Sequence, residues 1–132
     1  MADEPTSHPV QRDGSGKFVE VYPAAALTVW GFRGTGYKGP SGAGLRHKLV
    51  EKLLTRTAPW LRIPASARDL CEESDDALDS LVASLVTRAA AVGRCEPVTP
   101  GAEDRARREG WIALPVTGSL ADLATTSPPV PA

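Results

Sequence analysis

Histidine and cysteine are nearly absent from this chain, with two of each in 132 residues. Cys71 and Cys95 form no C-x-x-C pair and sit in no metal-ligand cluster, so zinc-site and dithiol chemistries lose support, and a cytoplasmic chain with reduced thiols is expected. His8 lies in a polar leading segment and His47 on a basic helix face. No serine or cysteine has an identifiable base, which leaves a nucleophilic triad unsupported. Long apolar runs are missing too. None approaches the roughly 18 residues of a membrane span, and the opening MADEPTSHPVQRDGSG has no apolar signal segment, so no membrane association is expected. A phosphate-cradling P-loop is also absent: GFRGTGYKGPSGAG at 31–44 lacks G-x-x-x-x-G-K-[ST] and follows a helix rather than a strand.

Glycine and proline, at twelve each, are in good supply, and much of the excess falls in the two ends and in 31–44. The foldable part is one small domain, expected to bury roughly two-thirds of its unfolded surface. The formal net charge of −1 hides a division along the chain. Residues 17–62 carry Lys17, Arg33, Lys38, Arg46, Lys48, Lys52, Arg56 and Arg62 against Glu20 and Glu51 only, a balance of +6. Residues 69–79 carry Asp69, Glu72, Glu73, Asp75, Asp76 and Asp79 with no base, a balance of −6. A basic half beside a carboxylate cluster suits a metal-dependent enzyme acting on a phosphate backbone. Two solvated faces give the same pattern, so charge alone decides nothing.

Residues 1–16 read as a disordered lead-in and 117–132, with Pro128, Pro129 and Pro131, as a loose tail. Between them KFVEVY at 17–22 predicts a strand. Phe18 and Tyr22 fall on one face, with Glu20, and Val19 and Val21 on the other, which suggests a strand covered on both sides. Pro23 suits the first turn of a short helix, AAALTVW. Leu45, Leu49, Val50, Leu53 and Leu54 mark an amphipathic helix over 45–57, stopped by Pro59. Residues 58–73 read as an irregular connection. Ser74 is an N-cap candidate for a helix to Gly93, with Asp75 and Asp76 in its first turn and a stripe of Leu78, Leu81, Val82, Leu85, Val86 and Ala89. A short helix follows near 102–109, then a final strand, WIALPV, at 111–116.

The one constellation that suggests chemistry is Glu20 on the strand with Asp75, Asp76 and Asp79 on the helix. At about 100° per residue, Asp75 and Asp79 flank the apolar stripe. Clustered carboxylates repel unless protons or a hard cation compensate, and paired metals stabilise the attacking and leaving oxygens of phosphodiester cleavage. Dipole compensation at the helix start and a solvent-facing rim for Glu20 account for the same residues. Trp30, Trp60 and Trp111 read as core or edge residues rather than stacking platforms. Lys38, in the glycine-rich loop, is either a phosphate contact or an ordinary loop lysine.

Taken together, VEVYPAAAL (19–27), WGF with GYKG (30–39), DDALDSLVASLVTRAAAVG (75–93) and EGWIALP (109–115) resemble the predicted RNase H-like nuclease family catalogued as domain of unknown function 429. The resemblance implies an α/β fold and a carboxylate site for Mg²⁺ or Mn²⁺, with Glu20 as the strand glutamate, Asp79 and Asp76 as the helix aspartates, and Asp75 beside them. Such folds open with strands that supply a central aspartate. Nothing before Lys17 matches them, and neither Asp3 nor Asp13 can be carried over. The chain is therefore expected to be a partial RNase H-like fold over 17–116, lacking the N-terminal strands: the C-terminal fragment of a metal-dependent nuclease, inactive alone. Its rival is a non-catalytic α/β fragment that binds DNA, RNA or a protein. Lys38, Arg46, Lys48 and Lys52 are the expected backbone contacts. With few strands available, the helix stripe at 78–89 is expected to lie partly uncovered and to favour self-association.

Overall fold

A computed structural model describes Asp13 and residues 18–124. Most of the lead-in 1–16 and residues 125–132 of the tail lie outside the described residues. The order is β1 (Glu20–Val21), α1 (Pro23–Val29), α2 (Ala43–Thr57), α3 (Ala65–Glu73), α4 (Asp75–Ala91), α5 (Glu103–Glu109) and β2 (Ile112–Ala113), with short 3₁₀ turns at Pro40–Gly42 and Ser119–Asp122. It is an α/β fold with a small parallel sheet: β1 pairs with β2 in the register Glu20 to Ile112 and Val21 to Ala113. Beyond β2 the backbone adds an antiparallel bridge, Cys95 to Pro115, with Glu96 donating to Leu114 and Val116 to Arg94.

α4 is the central element. Ser74 caps it, its hydroxyl accepting from the Ala77 amide at 3.2 Å, and Asp75 and Asp76 meet the positive end of the helix dipole. Leu78, Val82, Leu85, Val86 and Ala89 are all buried, and α1, α3, β1 and the Ser119–Asp122 turn pack against the helix. The stripe, expected to lie partly uncovered, is thus buried except for a half-buried Leu81, and two neighbours take the place assigned to missing strands. One is α3, where an irregular connection is expected. Its sequence, ASARDLCEE, has no apolar stripe to announce it, and only Cys71 is buried. The other is the segment after Val116, read as tail. Leu120 and Leu123 are buried, the Trp30 indole donates to the Ser119 hydroxyl at 3.1 Å, and Arg88 Nε donates to the Leu123 carbonyl at 2.8 Å.

The strand is covered on one face only. Val19 and Val21 pack on the core, whereas Phe18 and Tyr22 stay more than half exposed and Ile112 nearly so. Alternation then places Glu20 on the outer face, where its carboxylate lies over Gly110. A Cβ built at Gly110 would come within 2.9 Å of Glu20 Oε2, and its φ of 99° already favours glycine. Both strands are two residues long, shorter than the six-residue segments expected.

If the 117–124 segment is part of the fold, Leu123→Ala leaves a cavity in the main core and should cost about 2–4 kcal/mol of unfolding free energy, read as a lower denaturation midpoint by circular dichroism. An unchanged midpoint would return the segment to the tail.

Candidate functional site: a cationic cleft and a carboxylate latch

Arg46 is the residue from which the site is built. It lies on α2 yet is 5% exposed. Nε donates to the Glu72 carbonyl at 2.8 Å and Nη2 to that of Glu73 at 3.4 Å, while Nη1 donates to the carbonyls of Tyr37 and Gly39 at 2.8 and 2.9 Å. One guanidinium therefore caps the C-terminus of α3, where carbonyl dipoles favour a cation, and grips the loop before α2. The turn at Pro40–Gly42 brings the chain back so closely that a Cβ at Gly42 would meet the Tyr37 carbonyl carbon at 2.4 Å.

So held, the loop reaches the start of α4. The Tyr37 hydroxyl donates to Asp79 Oδ1 at 2.6 Å, Lys38 Nζ donates to Asp79 Oδ2 at 2.8 Å, and the Gly39 amide donates to Asp75 Oδ2 at 2.7 Å. The Gly39 amide holds the Asp75 carboxyl below the usual carboxylate range. Hydrogen bonding to Asp79 raises the Lys38 ammonium above its ordinary value. Burial, and then the bond to Asp79, push the Tyr37 phenol well above the tyrosine range.

The other side of this loop faces a cleft of about 550 Å³ between the loop and α2. Phe32, Tyr37, Leu45 and Leu49 contribute its apolar lining, and Arg33, Lys48, Lys52 and Arg56 its rim. No carboxylate lines it. Arg56 lies over the Phe32 ring, 4.5 Å from its centroid, and donates to the Trp30 carbonyl at 2.8 Å. Arg33, Lys48 and Lys52 have no acidic partner within 4 Å among the described residues. The volume is within the usual span of small-ligand sites, and the charge selects anions.

The candidate residues fall into separate groups. Asp75 and Asp79 meet on the latch, and Lys38 joins them as a counterion to Asp79. Asp76 is exposed. Glu20 is on the outer face of the sheet, whose inner face packs on α4. Among the described residues no group of three or more His, Cys, Asp or Glu side chains is placed to hold a metal ion. Among the described residues the donor set expected for Mg²⁺ or Mn²⁺ therefore does not assemble, and both Asp79 oxygens and one of Asp75 accept hydrogen bonds from the chain itself. Lys48 and Lys52 line the cleft as expected for phosphate contacts, but Arg46 does not, being buried among carbonyls. Arg33, Arg56 and the Tyr37 latch are additional. Arg33 and Arg56 are legible as part of the basic block, whereas nothing local marks the partner of Tyr37.

The class defined so far is a small α/β domain with a cationic cleft against its longest loop. The chain belongs to the family described as Protein of unknown function (DUF429), whose model matches residues 2–105, a stretch that takes in β1 and α1 to α4. No curated protein and no solved structure matches it. Among the described residues no helix is long and apolar enough to cross a membrane.

Two outcomes follow from the geometry. Arg46→Ala leaves four carbonyls without their donor and should cost about 3 kcal/mol or more, with Arg46→Lys recovering little because an ammonium lacks the fork; chemical denaturation checks both. The Tyr37 phenol keeps its proton in the folded chain to higher pH than in the unfolded one. Its contribution is therefore complete below the ordinary tyrosine pKa of about 10 and is lost as pH rises through the raised folded value. Denaturation midpoints should decline above about pH 10, and Tyr37→Phe should flatten that decline.

Proposed function

We propose that this chain is a nucleic-acid-binding α/β unit that takes a phosphodiester backbone into the cleft between the loop and α2. The observation that carries the reading is the trio Arg33, Lys48 and Lys52, three cations without acidic partners among the described residues around one concave, carboxylate-free cleft. Cations left unpaired repel one another and gain most from a polyanion, which exchanges its condensed counterions for them. Arg56, fixed over Phe32, completes the rim. Nuclease ancestry, implied by the sequence resemblance, fits a phosphate-backbone ligand. The separation of Glu20 from Asp75 and Asp79 supports binding over hydrolysis by these residues.

The test is fluorescence anisotropy with labelled single-stranded and duplex oligonucleotides, paired with a cleavage assay in Mg²⁺ or Mn²⁺. Binding without cleavage is expected, with log affinity falling against log salt at a slope of roughly −2 for a single strand held by three cations. Arg33→Ala, Lys48→Ala and Lys52→Ala together should weaken binding at least tenfold and flatten the slope, without altering sequence preference. Salt-independent binding, or none at low ionic strength, would overturn the reading. Metal-dependent cleavage lost in Asp79→Asn would replace it with the nuclease one.

A further inference from the structure

The carboxylates that resemble metal ligands touch the wall of the cleft instead. Tyr37 has two roles at once: it is among the residues that line the cleft, and its hydroxyl donates to Asp79 at 2.6 Å. Two residues on, the Gly39 amide donates to Asp75 at 2.7 Å. Between them Lys38 Nζ closes on the second Asp79 oxygen at 2.8 Å. The segment 37–39 is thereby pinned from α4 on one side and from Arg46, through the Tyr37 and Gly39 carbonyls, on the other. We infer that Asp75 and Asp79 are positioning residues, which pin the Tyr37–Gly39 segment so that Tyr37 is held in the wall of the cleft, and serve ligand binding through it rather than through a metal. This rests on the cleft being the binding site.

The chemistry separates this role from two others. The bonds from Tyr37 and Gly39 need acceptor oxygens, not charge: an asparagine at 79 or 75 presents a carbonyl oxygen to Tyr37 or Gly39 and gives up only the exposed Lys38 pair, whereas alanine removes the acceptor. A metal site needs anionic oxygens, and asparagine fails there almost as alanine does. A bystander near a cationic cleft merely weakens the local field, so neutralising it by either substitution tightens binding of a polyanion. Alanine loosening the wall while asparagine preserves it is the signature of the latch alone.

Two measurements on the full chain decide it. Amide hydrogen exchange of residues 37–39, without ligand or metal, should quicken about tenfold or more in Asp75→Ala and Asp79→Ala. It should stay near wild type in Asp75→Asn and Asp79→Asn. Anisotropy with a labelled single-stranded oligonucleotide, in excess chelator, should show severalfold weaker binding for the alanine variants and affinity within about twofold for the asparagine variants. Unchanged exchange in the alanine variants overturns the latch, as does tighter binding by all four. Asparagine variants as impaired as alanine ones under these metal-free conditions would show that the pair acts through its charge and overturn the acceptor latch, and wild-type binding that collapses in chelator would assign the pair to a metal. A wild-type chain with no affinity for the oligonucleotide defeats the binding reading, while the exchange rates still judge the latch.

Discussion

The buried guanidinium of Arg46 is the constraint on which the rest of this structure depends. Moving a charge out of water is costly, and the cost is offset only when its donors find acceptors of good geometry. Arginine suits such a place because it stays charged and offers a planar fork of fixed donors. Here the fork joins two backbone segments far apart in sequence, the loop at 37–39 and the end of α3 at 72–73. Each acceptor is a carbonyl that would otherwise need another partner, so satisfying the cation and satisfying the backbone are one event. Where Arg46 sits, the loop must pass; where the loop passes, Tyr37 meets Asp79 and the cleft acquires its wall.

That arrangement also accounts for the unequal treatment of the two charged blocks. Asp75 and Asp79 are drawn onto the loop and hydrogen-bonded by Lys38, the Tyr37 hydroxyl and the Gly39 amide, while Glu72 faces Arg68 and His47. The acids therefore find donors close to home. Lys48 and Lys52 on α2, and Arg33 in the loop before Gly34, line the cleft with no acidic partner within 4 Å among the described residues. Lys38 apart, the basic residues around the cleft thus stay clear of the acidic block, and the field over the cleft stays positive. At physiological ionic strength that field extends about 8 Å, enough to matter for a ligand entering the cleft.

Much of the fold is legible in the sequence wherever an element buries a continuous stripe. α2 and α4 announce themselves by spacing and α4 also by its Ser74 cap, Pro23 opens α1, and the acidic start and basic end of α5 match its dipole. α3 is hidden because its stability comes from elsewhere: one buried cysteine and a cationic cap from another helix are tertiary facts. The docking of Leu120 and Leu123 is hidden for a similar reason, since two leucines in a Pro- and Ser-rich stretch set no period. At the site, Lys48 and Lys52 could be read from the polar face of α2. Arg46 could not be told from them, because a helix stripe shows where apolar residues point and not which basic residue finds buried carbonyls. Alternation in β1 is readable, but which face the core covers is not, and the answer moved Glu20 away from the aspartates.

The latch leaves its three bonds with different exposure to competition. Lys38 is 61% exposed in its side chain, so its ion pair with Asp79 is worth little by itself and is screened by salt. The phenol of Tyr37 belongs to a buried residue, and the Gly39 amide is a backbone group with no rotamer freedom to lose. These two donors are ordered already by Arg46 and by the turn at Pro40–Gly42, so forming their bonds to the carboxylates requires little further loss of entropy. A cation arriving at Asp75 or Asp79 would displace donors whose positions are fixed by the fold, leaving a phenol and an amide short of acceptors. The preference of this acidic pair for its own loop is therefore set less by Lys38, the one charged partner, than by the neutral donors that Arg46 holds in place.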